Sequence, residues 1–393
     1  MSTLSIPRFL PTLILVNLTA HMALSGGKLS GALFTLRSGA PEVVMGFYLA
    51  LFASIPLFTS LSVGRWIDRV GALHVMRRGV SLLLLGAWLP VAWLAIPSLF
   101  AMAMLLGIGF NLVSMAGLQC VGVLSTGQSD QRRLANFGWF GLGFASSSAI
   151  GPSSSGLLID QFGFRFAFAS MALCTCVAAL LVLLPLRALP MPPKAPTTGL
   201  AAAPRAAWND LLRAPPLRRI FLVSLTLSGG WDLYAALLPV IGTRLGFSAS
   251  IIGSIASMFA LGTIVSRLAM PWLATRFQEW QNVRASALCM TLVFLVLPWA
   301  RVPAVFMVLG FAFGASVGLS QPNTLSLLHA ATPSGRTGEA LGLRFFLGNC
   351  SSVLLPLLFG LAVVPFGPAP LMWAGAALVG AGLPAVQRAL RKY

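Results

Sequence analysis

Long apolar segments alternate with short polar loops along the whole chain. A membrane-crossing helix needs roughly 20 mostly apolar residues, and each apolar segment has about that length. The pattern predicts an all-α membrane protein with twelve transmembrane helices, six on each side of one longer polar interruption. The predicted helices span residues 9–36, 43–63, 75–95, 98–124, 133–158, 166–186, 219–243, 249–271, 284–300, 303–327, 338–363 and 369–387.

The polar interruption at residues 188–217 divides the chain into two halves. It is rich in proline, with Ala and Arg between the prolines, and such a run forms a solvated spacer rather than a packed core. Only residues 208–212 are predicted to form a short amphipathic turn at the membrane surface. We therefore expect an N-terminal six-helix bundle at residues 1–187, a cytoplasmic linker at 188–217 and a C-terminal six-helix bundle at 218–393.

Short sequence matches recur between the two halves at a nearly constant offset. The tetrapeptide Leu-Ser-Gly-Gly at residues 24–27 returns at residues 227–230. Two equivalent halves are typical of secondary transporters, in which the substrate site lies between the repeats. Further matches are Gly138, Pro152 and Gly156 with Gly342, Pro356 and Gly360.

Composition and charge placement support a membrane location. The 393 residues are 57% hydrophobic and 9% charged, which excludes an ordinary soluble domain. The formal net charge is +18, but most Lys and Arg residues fall on one side of the predicted helices. Because basic loops stay in the cytoplasm, we expect a multi-pass protein of the inner (cytoplasmic) membrane with both termini cytoplasmic, and no nucleic-acid partner. The predicted outer loops hold only Arg37, Arg165, Arg244 and Arg301.

The sequence offers no pattern for metal, cofactor or enzyme chemistry. The five cysteines lie in apolar segments and are interpreted as packing residues. An intramembrane enzyme would need paired acid–base or metal groups, whereas the predicted spans hold one mid-span acid and isolated histidines. We therefore predict no metal, no cofactor and no enzymatic activity. A membrane enzyme and a receptor that does not transport its ligand stay as remote alternatives.

The loop after the second span carries a recognisable motif. It reads Gly-Arg-Trp-Ile-Asp-Arg-Val-Gly at residues 64–71. Gly64 is expected to end the helix, and Gly71 to allow the tight turn into the next one. The motif resembles the signature loop between helices two and three of the major facilitator superfamily. The resemblance implies a conformational gate formed by Gly64, Asp68, Arg69 and Gly71, in which Asp68 stabilises one state. After Gly71 the chain has Ala72 and Leu73 where the family usually has two basic residues.

The fifth span is a run of small residues interrupted by proline. Small residues allow close helix approach, and the proline predicts a bend. Its Gly151, Pro152 and Gly156 look like the antiporter signature of the same superfamily, which is found mainly in exporters. The resemblance implies the major facilitator fold, two pseudo-symmetric six-helix bundles, and drug or metabolite efflux by alternating access. Drug–proton antiporters of this family usually carry an arginine in helix four where this chain has Ala103, which puts proton handling there in doubt.

Polar residues form a stripe on one face of the first predicted span. An ionised side chain inside a bilayer costs about 2.5–3.5 kcal/mol, so the stripe is expected to line a cavity or the bundle interior. Gly26 and Gly27 are predicted to allow a local helix break beside Lys28. Alternatively, Lys28 snorkels to the interface or pairs with a structural acid. The stripe consists of Asn17, His21, Ser25, Lys28 and Thr35.

The seventh span carries Ser224, Ser228 and Asp232 at a spacing of four, with Trp231 and Tyr234 beside the acid. The repeat places Asp232 at the depth of Lys28. The two groups therefore form a static ion pair between the halves, or one of them binds substrate or exchanges a proton.

Two further arginines lie inside predicted spans. Arg267 is expected to snorkel, and Arg344 to contact an anion or to gate the pathway. We predict that Asp232 couples protons to the export of a small amphipathic organic molecule by a monomeric antiporter in the lipid bilayer. The alternative is a proton symporter that imports an organic anion held by Lys28 and Arg344. The candidate substrate or coupling residues are Asn17, His21, Ser25, Lys28, Ser228, Trp231, Asp232, Tyr234 and Arg344.

Overall fold

The computed structural model describes residues 6–125, 128–184, 186, 208–333 and 336–391. Within these ranges the chain is almost entirely helical, and a single 3₁₀ turn follows α10 at Leu297–Trp299. The helices are α1 Ile6–Arg37, α2 Glu42–Val70, α3 Ala72–Ala92, α4 Ile96–Leu124, α5 Asp130–Phe162, α6 Phe164–Leu183, α7 Trp208–Arg213, α8 Pro215–Arg244, α9 Ala249–Ala274, α10 Glu279–Val296, α11 Pro303–Ala331, α12 Thr337–Phe366, α13 Pro368–Gly380 and α14 Leu383–Leu390.

The helices lie where the apolar segments predict them. Among the described residues, 11 segments are long and apolar enough to cross a membrane, which makes this a multi-pass membrane protein. Helix α5 is not one of them because its many serine and glycine residues lower its mean hydropathy. The count of twelve therefore stays a prediction. The last predicted span is two helices, α13 and α14, with a break at residues 381–382.

The linker predicted at residues 188–217 lies largely outside the described residues. Its described end contains the short helix α7, which agrees with the predicted turn at residues 208–212. Helix α8 already begins at Pro215, inside the predicted linker. Proline fits the first turn of a helix because its missing N–H would have no intrahelical partner there.

Two predictions about glycine are wrong. Helix α2 does not end at Gly64 but continues to Val70, and the turn is made by Gly71, whose φ of 91° disfavours other residues. Helix α1 has no break at Gly26 and Gly27. A Cβ on Gly26 would collide with the Met171 side chain, so this glycine serves close packing and frees no carbonyl.

The chain groups into two compact units. The first contains Met1–Ser38, Leu51–Thr198 and Ser248–Ser254, and in it α1 packs on α4, α5 and α6 while α3 packs on α4 and α6. The second contains Gly39–Ala50, Gly199–Phe247 and Ile255–Tyr393, and in it α8 and α10 each pack on α11 and α13. The start of α2 thus belongs to the second unit, and the start of α9 to the first.

Both units use the same repeat positions for a very close helix crossing. In the first unit, a Cβ on Gly156 of α5 would collide with the carbonyl oxygen of Ala249 in α9. In the second, a Cβ on Gly360 of α12 would lie 2.9 Å from Val43 Cα in α2. Glycine permits such backbone contact between membrane helices. The internal repeat therefore extends from the sequence to the packing.

The crossing in the first unit yields a stability prediction. Gly156→Ala should lower the melting temperature in detergent, because overpacking costs about 1–3 kcal/mol. Gly141→Ala on the same helix is the matched control, since nothing lies within 4 Å of its added Cβ. The control should be neutral or slightly stabilising, as alanine is the better helix former. Equal melting temperatures for the two variants would show that α5 and α9 do not touch closely at Gly156.

Candidate substrate and coupling site

His21 of α1 lies in an aromatic and polar pocket of the first unit. Its ring centroid is 5.0 Å from that of Phe110 in α4 and 4.0 Å from that of Phe144 in α5. Its Nδ1 is 2.7 Å from Ser147 Oγ in α5. The side chain is buried, with 6% of its surface exposed. The contacts hold the imidazole ring in one orientation.

The hydrogen bonds of Ser147 favour one tautomer of His21. The Ser147 hydroxyl donates its one hydrogen to the carbonyl oxygen of Phe144 at 2.7 Å. In that arrangement the hydroxyl accepts from His21, whose neutral ring then carries its proton on Nδ1. In that tautomer Nε2 carries the lone pair and is the nitrogen that can accept a hydrogen bond.

The rest of the α1 stripe faces the interior of the first unit, as its periodicity predicts. Asn17 is 2% exposed, and its Oδ1 has no hydrogen-bond partner among the described residues. Lys28 Nζ lies 5.2 Å from the ring centroid of Phe52 in α2, within cation–π range. The hydroxyl of Thr35 donates to the carbonyl of Gly31 in its own helix, which accounts for its burial without a ligand.

Asp232 of α8 is held by two serine hydroxyls of α12 in the second unit. Ser351 Oγ donates to Oδ2 at 2.7 Å, and Ser352 Oγ donates to Oδ1 at 2.9 Å. Both oxygens of the carboxylate are therefore occupied by neutral, rotatable donors.

Trp231 and Tyr234 belong to an aromatic cluster of α8, α9 and α11. The Tyr234 ring stacks on Phe313 with centroids 4.5 Å apart, and Trp231 stacks on Phe259 at 6.1 Å. Tyr234 is buried, and its hydroxyl has no hydrogen-bond partner among the described residues. Trp231 is only partly buried.

Arg344 of α12 and Arg267 of α9 both hydrogen-bond to α11. Arg344 Nη2 donates to Thr324 Oγ1 at 3.3 Å, and Arg267 Nη2 donates to Gln321 Oε1 at 3.0 Å. In this structure Arg267 is thus bonded to a neighbouring helix, whereas its sequence position predicts snorkelling. Arg344 also lines a narrow cavity, together with Ser224, Ser228 and Trp231 of α8 and Ser320, Gln321 and Thr324 of α11.

The predicted gate is described only in part. The side chain of Asp68 lies outside the described residues, while Arg69 is exposed at the end of α2. Arg78 of α3 lies 5.0 Å above the ring of Trp66, which links the two helices that the motif joins. The role of Asp68 stays a prediction. Among the described residues, no cluster of three or more His, Cys, Asp or Glu side chains is placed to hold a metal ion.

The sequence matches the profile of the Major Facilitator Superfamily in two overlapping segments, residues 12–356 and 220–391. The chain belongs to this superfamily. The resemblance read from the loop at residues 64–71 and from the fifth span is therefore confirmed at the level of the family, and with it a transporter fold in a membrane.

Relatives with assigned names are similar along most of the chain. Solute carrier family 67 member A1 of Homo sapiens is 26% identical over 84% of this chain and 80% of its own length. Multidrug resistance protein 1 of Bacillus subtilis (strain 168) is 25% identical over 81% of this chain and 80% of its own. Tetracycline resistance protein, class B, of Escherichia coli is 25% identical over 80% of this chain and 77% of its own length.

Solved transporter structures share the fold at low sequence identity. A POT family transporter in complex with a thioalcohol-conjugated peptide superposes with a TM-score of 0.78 at 15% identity, covering 98% of this chain and 95% of that one. The nucleoside transporter NupG superposes with a TM-score of 0.76 at 13% identity, covering 96% of this chain and 99% of that one. At this identity the likeness establishes the fold alone.

The sequence did not predict the serine partners of the two titratable side chains, His21 and Asp232. Ser147 and Ser148 of α5 stand at the repeat positions of Ser351 and Ser352 in α12. The paired serines were a usable signal, because the repeat aligns them. Nothing in the sequence indicated that Thr324 and Gln321 meet the two arginines.

The His21 contact predicts a cost for losing one hydroxyl. Ser147→Ala should lower the thermal stability in detergent, because a buried ring nitrogen of His21 that loses its hydrogen-bond partner costs about 1–3 kcal/mol. Ser148→Ala is the control, since among the described residues that hydroxyl bonds to Phe144 O of its own helix and to no other helix. Identical melting curves for the two variants would show that the ring does not depend on Ser147.

Proposed function

We propose that the protein is a secondary active exporter that moves a small amphipathic organic compound out of the cytoplasm in exchange for protons. Proton coupling is proposed because of the carboxylate of Asp232. It lies deep in its span, about 18 Å along the helix axis from Arg244 at the helix end, and it accepts hydrogen bonds from Ser351 and Ser352. An ion gradient supplies the energy for transport, because the sequence contains no nucleotide-binding loop.

The direction of transport is proposed from the names of the relatives and from α5. Two relatives are named for resistance to drugs. A membrane transporter protects a cell from a compound by lowering its concentration in the cytoplasm, which favours export. The glycines and proline of α5, at Gly151, Pro152 and Gly156, resemble the antiporter signature and favour the same direction.

The two serines suit a carboxyl group that gains and loses a proton. A serine hydroxyl donates to an ionised carboxylate and can rotate to accept from a protonated one. Asp232 can therefore keep hydrogen-bond partners in both protonation states. Coupling further requires that its proton affinity differ between the two conformations of the transporter, since a proton bound equally well in both shifts nothing.

The finer architecture is part of the proposal. Helix α5, the fifth span in chain order, is the one that brings the 11 apolar segments to twelve membrane spans. Its serines face neighbouring helices and not lipid. Both termini are cytoplasmic, the protein works as a monomer in the inner membrane, and alternating access moves one half against the other around the substrate.

Coupling is tested by Asp232→Asn in sealed vesicles. The variant should lose accumulation of substrate driven by a pH difference, because the amide cannot exchange a proton. It should keep downhill exchange of substrate. The control is Asp210→Asn, which neutralises an exposed acid of α7 outside the spans. Accumulation by Asp232→Asn at the rate of the control would exclude Asp232 as the coupling group and favour a static ion pair.

The gate is tested by Asp68→Asn in the same vesicles. If Asp68 stabilises one conformation, the variant should transport several-fold more slowly while its expression and its substrate affinity stay close to those of the unmodified protein. Unchanged transport by Asp68→Asn would leave the loop at residues 64–71 with a topological role only.

A further inference from the structure

Two arginines of the second unit direct their guanidinium groups to one face of α11. Their partners, Thr324 and Gln321, are three residues apart and thus lie on the same side of the helix. In the part of the chain that the structure describes, neither arginine forms an ion pair. Cations inside a membrane protein are normally paired or functional. An anion from outside the protein would complete this arrangement.

The narrow cavity beside Arg344 limits what can enter. Its volume is about 10 Å³, which is close to the minimum that holds one water molecule. It therefore accepts one terminal oxygen of a ligand rather than a whole organic molecule. Trp231 lines the same cavity and offers an aromatic surface to the rest of the ligand.

The polar lining of the cavity is rich in donors. Ser224 Oγ is buried without a hydrogen-bond partner among the described residues, and the side chain is 6% exposed. The one hydrogen of the Thr324 hydroxyl has a backbone acceptor in its own helix, the carbonyl oxygen of Ser320 or of Gln321, and towards the Arg344 guanidinium the hydroxyl is an acceptor. Among the described lining residues, the groups that can donate to a ligand include the Arg344 guanidinium and the hydroxyls of Ser224 and Ser228.

We infer that this cavity binds one oxygen of a carboxylate group of the transported compound, whose apolar body lies against Trp231. The inference rests on the proposed function and narrows its substrate class to organic monocarboxylates. A guanidinium matches the planar carboxylate with charge-assisted hydrogen bonds.

The test is equilibrium binding to the purified full-length protein in detergent. The probes are two acid–amide pairs of equal shape: naphthalene-2-carboxylate with its carboxamide, and octanoate with octanamide. At least one acid should bind roughly tenfold or more tightly than its amide, because a charge-assisted hydrogen bond is lost with the charge. Equal binding, or no binding, of acid and amide in both pairs overturns the inference.

Substitutions in the cavity test which side chain causes the preference for the acid over its amide. Arg344→Gln should remove the preference for the acid and leave the amide affinity unchanged, while Arg344→Lys should keep part of it. Arg284→Gln is the control, since it removes an exposed arginine of α10. Should Arg344→Gln not fold, Ser224→Ala tests the same cavity and should weaken acid binding several-fold. An undiminished preference in Ser224→Ala and Arg344→Lys would place the carboxylate elsewhere.

Failure of this inference is distinguishable from failure of the proposed function. The binding assay needs no proton gradient and no direction of transport. Acid preference without proton-driven export in vesicles would retain the subsite and reject the coupled exporter. Proton-driven export of a neutral compound, with no acid preference, would retain the exporter and reject the subsite.

Discussion

Close backbone contact between helices determines where the polar side chains of this protein meet. Within a bilayer, apolar side chains gain little by leaving lipid, so helices associate through small residues that let their backbones touch. A Cβ on Gly151 of α5 would lie 3.0 Å from the carbonyl oxygen of Met22 in α1. One turn earlier on the same helix, Ser147 reaches His21. The short serine side chain can span this gap only because the two backbones are so close.

The same constraint operates in the second unit with different chemistry. A Cβ on Gly229 of α8 would lie 3.5 Å from Ser351 Oγ in α12, and the same serine donates to Asp232. The acid is thus satisfied by the protein, whereas Arg344 has a single bond of 3.3 Å to a hydroxyl within the described residues. The rotatable hydroxyls beside Asp232 are compatible with the proton exchange proposed for it, and the incompletely satisfied guanidinium is compatible with the proposed ligand anion.

The sequence predicted features that depend on local composition and spacing. The helix positions followed from apolar length, and the burial of Asn17 and His21 followed from their helical spacing. Glycine was misread at residues 26–27, because a glycine that unwinds a helix and one that admits a neighbouring helix look alike in one sequence. The bond between Arg344 and Thr324 depends on which helices pack side by side, and neither side chain carries a local signal for it.

The repeat keeps the backbone crossings and changes the side chains that carry charge. Serine pairs occupy equivalent positions in α5 and α12, yet Ser147 holds an imidazole and Ser351 a carboxylate. At the repeat position of His21 stands Ser224, which lines the Arg344 cavity. A symmetric scaffold with identical chemistry in both halves would offer the same group twice. Here the halves present different titratable groups on matching supports, so proton exchange and substrate binding can be assigned to different residues within one architecture.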